Sequence, residues 1–465
     1  MFFFEYENEP VKNYYNKTAV KELSILGLFG KENVTLKFDK IVNIFIGENG
    51  LGKTTILNCL YFLLHGEYEK LVSIPFSQII MRFKDDKEYI ISKADILSYV
   101  DNSSSNRRYR YREIYPYIEE IVNQYSNNIA IIHDEDIQDI IVMHLAKRIG
   151  IPYPQARMAV LSYVSNFNSN LKGNAKRIKE LREKISNSVN ERIIYLTTYR
   201  RIEKDYSEYF NIEKDRFRSV EADMLIRFGM KDVTKSINSI LEIISDKTNQ
   251  GFNKMTGILL SKYARSTLNE RNRCKTIDIS LLKIVLDRLG EQIDDEDKKN
   301  ILGLVESKRI YQEEHQYLQN LIDELINSYN RLKIYDEKIT GFTDTCNKYL
   351  NNKSFVYNPS EITLKLFSKD DNSELELSML SSGEKQIVSL FSRLYLESER
   401  KCILLIDEPE LSISMRWQKM LLPDIVRSNN CNLLITVTHS PFIFDNEFDN
   451  DAHDMWYCFN NRSVD

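Results

Sequence analysis

The sequence lacks the features that would mark it as a secreted, disulfide-bonded or membrane-spanning protein. Its six cysteines are scattered and form no C-x-x-C pair, which argues against a disulfide framework or a cysteine-rich zinc site. No apolar run reaches the ~18 residues that a membrane helix needs, and the first residues do not resemble a secretion signal. These absences predict a cytoplasmic protein that does not enter a membrane.

The chain also lacks a strong net charge of either sign. It carries 63 lysines and arginines against 68 aspartates and glutamates, for a formal charge of −5. No global positive field would therefore recruit nucleic acid, although the net charge does not exclude a local basic groove. At 465 residues, with 42% hydrophobic and 28% charged residues, the chain is long enough for one large cored domain with an added layer.

A glycine-rich segment carries the clearest chemical signal. Residues 47–54 fit the pattern G-x-x-x-x-G-K-[ST], after an apolar run at 41–46 and before a helical pattern at 53–64. Such a loop turns its backbone N–H groups toward phosphates. We expect the lysine to reach the β- and γ-phosphates of ATP, and the threonine hydroxyl to bind Mg²⁺. The predicted nucleotide contacts in this segment are Gly47, Asn49, Gly50, Gly52, Lys53, Thr54 and Thr55.

Two later apolar runs end in reactive side chains. The run 401–406 ends in Asp407 and Glu408, and the run 432–437 is followed by Thr438 and His439. The carboxyl ends of parallel strands meet beside a phosphate loop. We predict that Asp407, with Thr54, holds Mg²⁺ and that Glu408 activates the attacking water. His439, with Lys53, completes the predicted catalytic set, although a histidine here can also be purely structural.

Residues 380–386, Leu-Ser-Ser-Gly-Glu-Lys-Gln, precede the acid-tipped strand and open a helical pattern. They resemble the signature of the ATP-binding-cassette superfamily, and the order of phosphate loop, signature, acid pair and histidine is the order of that superfamily. The resemblance implies that two heads close over two nucleotides, with the signature of one subunit on the γ-phosphate held by another. Its deviations from the transporter form are typical of the SMC-like branch. The implied signature contacts are Ser381, Ser382, Gly383 and Glu384.

These motifs predict an α/β fold, an ABC-type P-loop ATPase head with a mixed sheet flanked by helices. We expect residues 1–92 and 356–465 to form the head and residues 93–355 to form a mainly helical insertion. One core strand is expected near 192–196. A seven-residue apolar repeat in the insertion predicts a short helical hairpin or coiled coil, and a helix stripe that faces the core fits equally well. The repeat consists of Leu304, Tyr311, Leu318, Leu325 and Leu332.

Shorter segments resemble a narrower group. Residues 407–414 resemble the OLD-type motif with serines in place of histidines, and residues 195–203 and 226–233 resemble ATPases of two-gene anti-phage systems. The resemblance is greatest to the PARIS type (AriA) and next to the Septu type (PtuA). This resemblance implies a homo-oligomer, at least a dimer of heads and as large as a hexamer. It also implies slow, regulatory ATP hydrolysis, a phage trigger protein that mimics DNA, and a separate nuclease of the Toprim type, with HNH as the alternative.

Several alternatives remain at this stage. The arginines and tyrosines at 107–112 fit contact with nucleic acid or an acidic partner, or an exposed loop. Arg200 or Arg201 could face the γ-phosphate or pair with Glu203. The short stretch after His439 leaves no room for a Toprim domain, so we expect no nuclease site in this chain. Besides a defence sensor, a RecF- or SMC-like ATPase that binds DNA in repair and a stand-alone enzyme stay open.

Overall fold

The structure is a computed structural model. It describes residues 15–48, 50–103, 114, 115, 117, 118, 120, 121, 135–167, 171–197, 230–264, 277–290, 293–397 and 400–459. The helices are Lys53–His65 (α1), Lys93–Ser103 (α2), Glu135–Ile149 (α3), Tyr153–Phe167 (α4), Leu171–Ser188 (α5), Met230–Ala264 (α6), Ile279–Arg288 (α7), Asp295–Glu306 (α8), Gln316–Tyr349 (α9), Ser382–Tyr395 (α10) and Met415–Arg427 (α11). The strands are Val20–Leu28 (β1), Glu32–Lys37 (β2), Val42–Ile46 (β3), Gln78–Phe83 (β4), Glu88–Ser92 (β5), Arg192–Leu196 (β6), Lys353–Asn358 (β7), Thr363–Ser368 (β8), Glu374–Leu375 (β9), Cys402–Asp407 (β10), Cys431–Thr438 (β11) and Ala452–Asp454 (β12).

A parallel sheet forms the centre of the fold, with the strand order β12-β3-β11-β10-β6. Every pairing in it is parallel. The register aligns Asp407 with Val437 and Thr438 with Ile46, so three strands end at one edge of the sheet. The strand predicted near 192–196 is β6, and it pairs with β10. The predicted α/β fold class is confirmed.

Antiparallel pairing occurs in two separate sheets. One has the order β2-β1-β4-β5, in which β4 and β5 form a hairpin. The other consists of β7, β8 and β9 and precedes α10. The apolar run at 41–46 predicted β3 to within one residue, because short runs rich in branched side chains are typical of strands.

Two hydrophobic cores cover the two faces of the parallel sheet. Along β10, Ile403 and Leu405 belong to the core that contains α1 and α5, whereas Leu404 and Ile406 belong to the core that contains α9, α10 and α11. All of β10 is buried, which is expected for a parallel strand with helices on both faces. This double burial fixes the position at which the strand presents its terminal acids.

The seven-residue repeat does not lie on one helix, so no continuous helix runs through 304–332. Leu304 lies in α8, which ends at Glu306, and Lys308 then adopts the left-handed conformation with φ 59°. Tyr311 lies in the short 3-10 turn Arg309–Tyr311 that follows. Only the last three members of the repeat lie in α9, where Leu325 and Leu332 are buried. Helix α9 packs along α6 and also contacts α7 and α10.

The division into head segments 1–92 and 356–465 and insertion 93–355 stays a prediction. Within the described part of the chain, no helix is both long and apolar enough to cross a membrane.

Candidate active site

The glycine-rich loop joins β3 to α1 at the carboxyl edge of the parallel sheet. Gly50 and Gly52 have φ of 93° and 81°, a left-handed conformation that other residues adopt at a cost. A Cβ atom at Gly52 would lie 2.6 Å from the ring of Phe29, so this glycine also permits a close approach. Helix α1 starts at Lys53 without a side-chain cap, which leaves its first backbone N–H groups directed at the loop.

Lys53 is held inside the loop by three acceptors. Its Nζ donates to the carbonyl oxygens of Gly47 at 2.8 Å and Glu48 at 2.9 Å, and lies 2.6 Å from Nε2 of His439. An ammonium group only donates, so this contact requires an unprotonated Nε2. Burial lowers the pKa of Lys53, and the nearby carboxylates of Glu408 and Asp407 oppose that shift.

Thr54 and Asp407 form a second contact across the site. The Thr54 hydroxyl donates to Oδ2 of Asp407 at 2.7 Å, and Asp407 is completely buried at the end of β10. Hydroxyl and carboxylate oxygens are the hard ligands that Mg²⁺ accepts, with phosphate and water oxygens completing its octahedron. The two side chains therefore fit the metal site that the sequence predicts.

Glu408 stands between the two strand ends in a strained conformation. Its φ is 49°, its backbone N–H donates to the Val437 carbonyl at 2.9 Å, and its Oε1 lies 3.8 Å from Nε2 of His439. A left-handed φ at a residue other than glycine is uncommon and clusters at functional sites. The carboxylate and the imidazole are thus neighbours, although 3.8 Å is longer than a hydrogen bond.

The signature forms the first turn of α10. Ser381 caps the helix, and its hydroxyl and the Glu384 carboxylate form a capping box. Ser381 and Ser382 are exposed, whereas Gly383 is buried. Gly383 is also closely packed, since a Cβ atom there would lie 2.5 Å from the Ser412 carbonyl oxygen. Among the described residues, no hydrogen bond joins this turn to the phosphate loop of the same chain.

The Glu384 carboxylate has two partners within its own subunit. Its Oε2 accepts from the Ser381 backbone N–H at 2.7 Å and from Lys353 Nζ at 2.8 Å. Burial alone would raise the pKa of Glu384, but these donors hold it below its ordinary value. Glu384 therefore shapes the signature turn. The S-x-x-E pattern at 381–384 is the sequence signal for such a cap.

Two residues outside the predicted site contact the loop of His439. The Glu410 carboxylate accepts from the backbone N–H of His439 at 2.8 Å, and Oε1 of Gln418 accepts from the Ser440 hydroxyl at 2.6 Å. In the sequence, only the position of these two residues after the acid pair points to a role in the site. Their contacts join segments far apart in the chain, so no local pattern shows them. Thr55 lies half-buried in the first turn of α1.

Some predicted features lie outside the described residues. They are Asn49, Arg200, Arg201, Glu203 and the arginine- and tyrosine-rich segment 107–112.

The family model of the AAA ATPase domain matches residues 21–444, which include the phosphate loop, the signature, the acid pair and the histidine. The chain belongs to the AAA ATPase domain family. Among curated proteins, none matches this AAA ATPase domain.

Two solved structures similar to this AAA ATPase domain are Smc head domains. One is the Smc head domain from Pyrococcus furiosus with an extended coiled coil, bound to the C-terminal domain of ScpA, at 13% identity. The other is an Smc head bound to the C-terminal winged-helix domain of ScpA, at 10% identity. In each case the match covers 91% of this chain and 90% of the other, with a TM-score of 0.32. Likenesses this distant do not indicate what the chain binds.

Proposed function

We propose that this AAA ATPase domain binds ATP with Mg²⁺ and hydrolyses it between two copies of the head. The observation that carries the proposal is the convergence of three distant segments at one sheet edge. Thr54 of α1 contacts Asp407 of β10 at 2.7 Å, and Lys53 contacts His439, which follows β11, at 2.6 Å. A phosphate-binding lysine, a pair of metal ligands and a base candidate are thus brought together.

Binding of the phosphates would redirect the donors of the loop. The ammonium of Lys53 exchanges its loop carbonyls and His439 for β- and γ-phosphate oxygens, and the uncapped start of α1 adds backbone N–H groups. Thr54 and Asp407 would hold Mg²⁺, which would supply positive charge to balance the phosphate oxygens. The ring of Phe29, exposed beside Gly52, offers the nucleotide base an apolar face.

Glu408 and His439 then act on the attacking water. The carboxylate orients the water and accepts its proton, while the released imidazole contacts the γ-phosphate or the same water. The 3.8 Å separation of the two side chains leaves both within reach of one small molecule. Phosphoryl transfer of this kind depends on position and charge rather than on a covalent intermediate.

The site is completed by a second copy of the chain. Ser381 and Ser382 are exposed at the start of α10, and two exposed methionines lie nearby in the chain or at the start of α11: Met379 is 57% exposed and Met415 62%. From the resemblance to the cassette ATPases, we propose that the signature lies against the γ-phosphate of the partner head. A helix start rich in small residues suits an anionic group.

We further propose that the ATPase is the sensor and scaffold subunit of an anti-phage complex, in which ATP binding controls a separate nuclease. Support comes from the segments 195–203 and 226–233, which resemble the ATPases of such systems, and from residues 407–414, which resemble the OLD-type motif. A nucleotide that binds closed heads better than open heads shifts the assembly toward the closed form. A phage protein that mimics DNA is the trigger we favour.

Trapping the closed heads tests this function. In Glu408→Gln the metal ligands and the phosphate loop are retained while the base is lost, so ATP should stay bound. With ATP and Mg²⁺ we expect the solution mass to rise to at least that of a dimer, and ADP should give no such rise. The surface variant Glu447→Gln is the control. A Glu408→Gln protein that binds ATP as a monomer contradicts closure between heads.

The same variant separates the two biological roles. Co-expression with the product of the adjacent gene, followed by purification with ATP, should recover a complex with a nuclease if the chain is a defence sensor. Tight ATP-dependent binding to DNA without that partner would instead favour a DNA-maintenance ATPase.

A further inference from the structure

Glu410 binds the end of β11 through both of its carboxylate oxygens. Oε1 accepts from the backbone N–H of His439 at 2.8 Å, and Oε2 accepts from the Thr438 hydroxyl at 2.8 Å. Thr438 is completely buried, and its oxygen also accepts from the backbone N–H of Ser440 at 3.0 Å. The turn 438–440 is therefore built around the Glu410 carboxylate and the Thr438 hydroxyl.

This arrangement fixes the backbone from which the imidazole projects. Pairing with β3 holds β11 in register as far as Thr438, which pairs with Ile46. Past the end of that pairing, the hydrogen bond to Glu410 is the described contact of the His439 backbone N–H. The imidazole lies 2.6 Å from Lys53 Nζ and 3.8 Å from Glu408 Oε1, so a small shift of this backbone would change both distances.

The loop that carries Glu410 also contacts the signature helix. Nε2 of Gln386, on α10, donates to the Pro409 carbonyl at 3.5 Å. On the other side, Gln418 of α11 donates to the Ile413 carbonyl at 3.1 Å and accepts from the Ser440 hydroxyl at 2.6 Å. Glu410 thus lies between the helix that would meet a partner's nucleotide and the histidine of its own site.

We propose that Glu410 is a positioning residue for His439, and that it links the state of the signature helix to the orientation of this imidazole. The proposal rests on the function proposed above. Glu410 acts through the His439 backbone. Each of its two oxygens accepts a hydrogen bond, one from the His439 backbone N–H and one from the Thr438 hydroxyl. A glutamine amide has only one acceptor oxygen, and its nitrogen is a donor, so it cannot accept both hydrogen bonds in the same way.

The double-mutant cycle of Glu410→Gln with His439→Ala separates positioning from a general structural effect. Alone, Glu410→Gln should lower kcat about 10- to 100-fold, since small displacements at a reacting centre have effects of this size, while the Kd for ATP changes less than about threefold. In the His439→Ala background the same substitution should change kcat less than about twofold. Losses that multiply, or a Kd that rises with the loss in kcat, would overturn the proposal.

Two further variants distinguish the positioning role of Glu410 from a folding defect. Thr438→Val removes one of the two donors and keeps the side-chain shape, so its kcat should fall by less than that of Glu410→Gln. Glu447→Gln removes a surface carboxylate that also accepts two hydrogen bonds, both from Arg427, and should leave kcat unchanged. A Thr438→Val protein that retains full kcat contradicts the proposed arrangement.

An independent readout needs no hydrolysis. In protein labelled with ¹⁵N-histidine, the imidazole signal of His439 is identified by its loss in His439→Ala. Glu410→Gln should move this signal, and Glu447→Gln should not. If wild-type protein does not hydrolyse ATP, the proposed function fails, and this signal still decides the role of Glu410. An unmoved His439 signal in an active ATPase overturns the positioning role alone.

Discussion

The ammonium of Lys53 and the imidazole of His439 are in direct contact, with 2.6 Å between Nζ and Nε2. The lysine is the phosphate-binding residue of the glycine-rich loop, and the histidine follows the neighbouring strand β11. A phosphate group that binds Lys53 must compete with this contact. The histidine is then freed at the point where the γ-phosphate lies, which couples substrate binding to the placement of a catalytic group.

The contact gives opposite expectations for two substitutions. His439→Ala removes a competitor for Lys53 and a group that acts on the reacting atoms. We expect the Kd for ATP to stay equal or decrease, while kcat falls by about 100-fold. Lys53→Ala should raise the Kd at least about 100-fold. Titration with a fluorescent ATP analogue and steady-state phosphate release measure both quantities. A His439→Ala protein with weakened binding and unchanged kcat would contradict the assignment.

The Thr54–Asp407 pair should control the metal dependence of nucleotide binding. Asp407→Asn retains the size of the side chain but removes the charge that balances Mg²⁺. We expect wild-type protein to bind ATP about 10-fold or more tightly with Mg²⁺ than with EDTA, and Asp407→Asn to lose most of this difference. Calorimetric titration in both buffers tests it. Equal metal dependence in the two proteins would place the metal elsewhere.

The pKa of Lys53 is lowered mainly by burial, with partial opposition from nearby carboxylates. The charged ammonium binds phosphate, so affinity should be full below this pKa and decline as pH rises through it. An ordinary lysine has a pKa of 10.5. Because the pKa of Lys53 is lower, we expect the Kd for ATP to begin to rise at a lower pH than it would with an ordinary lysine at this position. Titrations from about pH 7 to about pH 10 follow the decline, and Lys53→Arg, charged throughout, should flatten it.

Gly383 should be intolerant of any side chain. A Cβ atom there would lie 2.5 Å from the Ser412 carbonyl oxygen and 3.2 Å from the ring of Trp417. Gly383→Ala should lower the free energy of unfolding by about 1–3 kcal/mol and reduce ATP hydrolysis, because the signature turn must move. Gly303→Ala in α8 is the matched control, since no atom lies within 4 Å of the added Cβ. It should be neutral or stabilise by about 0.5–1 kcal/mol. Urea unfolding of both variants compares them, and equal stability would contradict the close packing.

Local sequence patterns were sufficient where one short segment decides the structure. The phosphate loop and the strands β3, β10 and β11 beside it followed from glycine placement and apolar runs. The seven-residue repeat did not distinguish a coiled coil, a helical hairpin and a helix stripe that faces the core, because spacing alone does not show the helix break at Lys308. The contacts of Glu410 with His439 and of Phe29 with Gly52 join distant segments, so no local pattern predicts them.

Mixing two defective variants tests the shared site between heads most directly. Ser382→Arg blocks the exposed signature but retains a complete phosphate loop and base, whereas Glu408→Gln lacks the base but retains the signature. Each protein alone should bind ATP and hydrolyse it at less than about 5% of the wild-type rate. In a mixed pair, one site combines the intact halves, so the mixture should recover roughly a quarter of wild-type activity for random pairing. A mixture no more active than its components, at concentrations where the two associate, would contradict a site built from two heads.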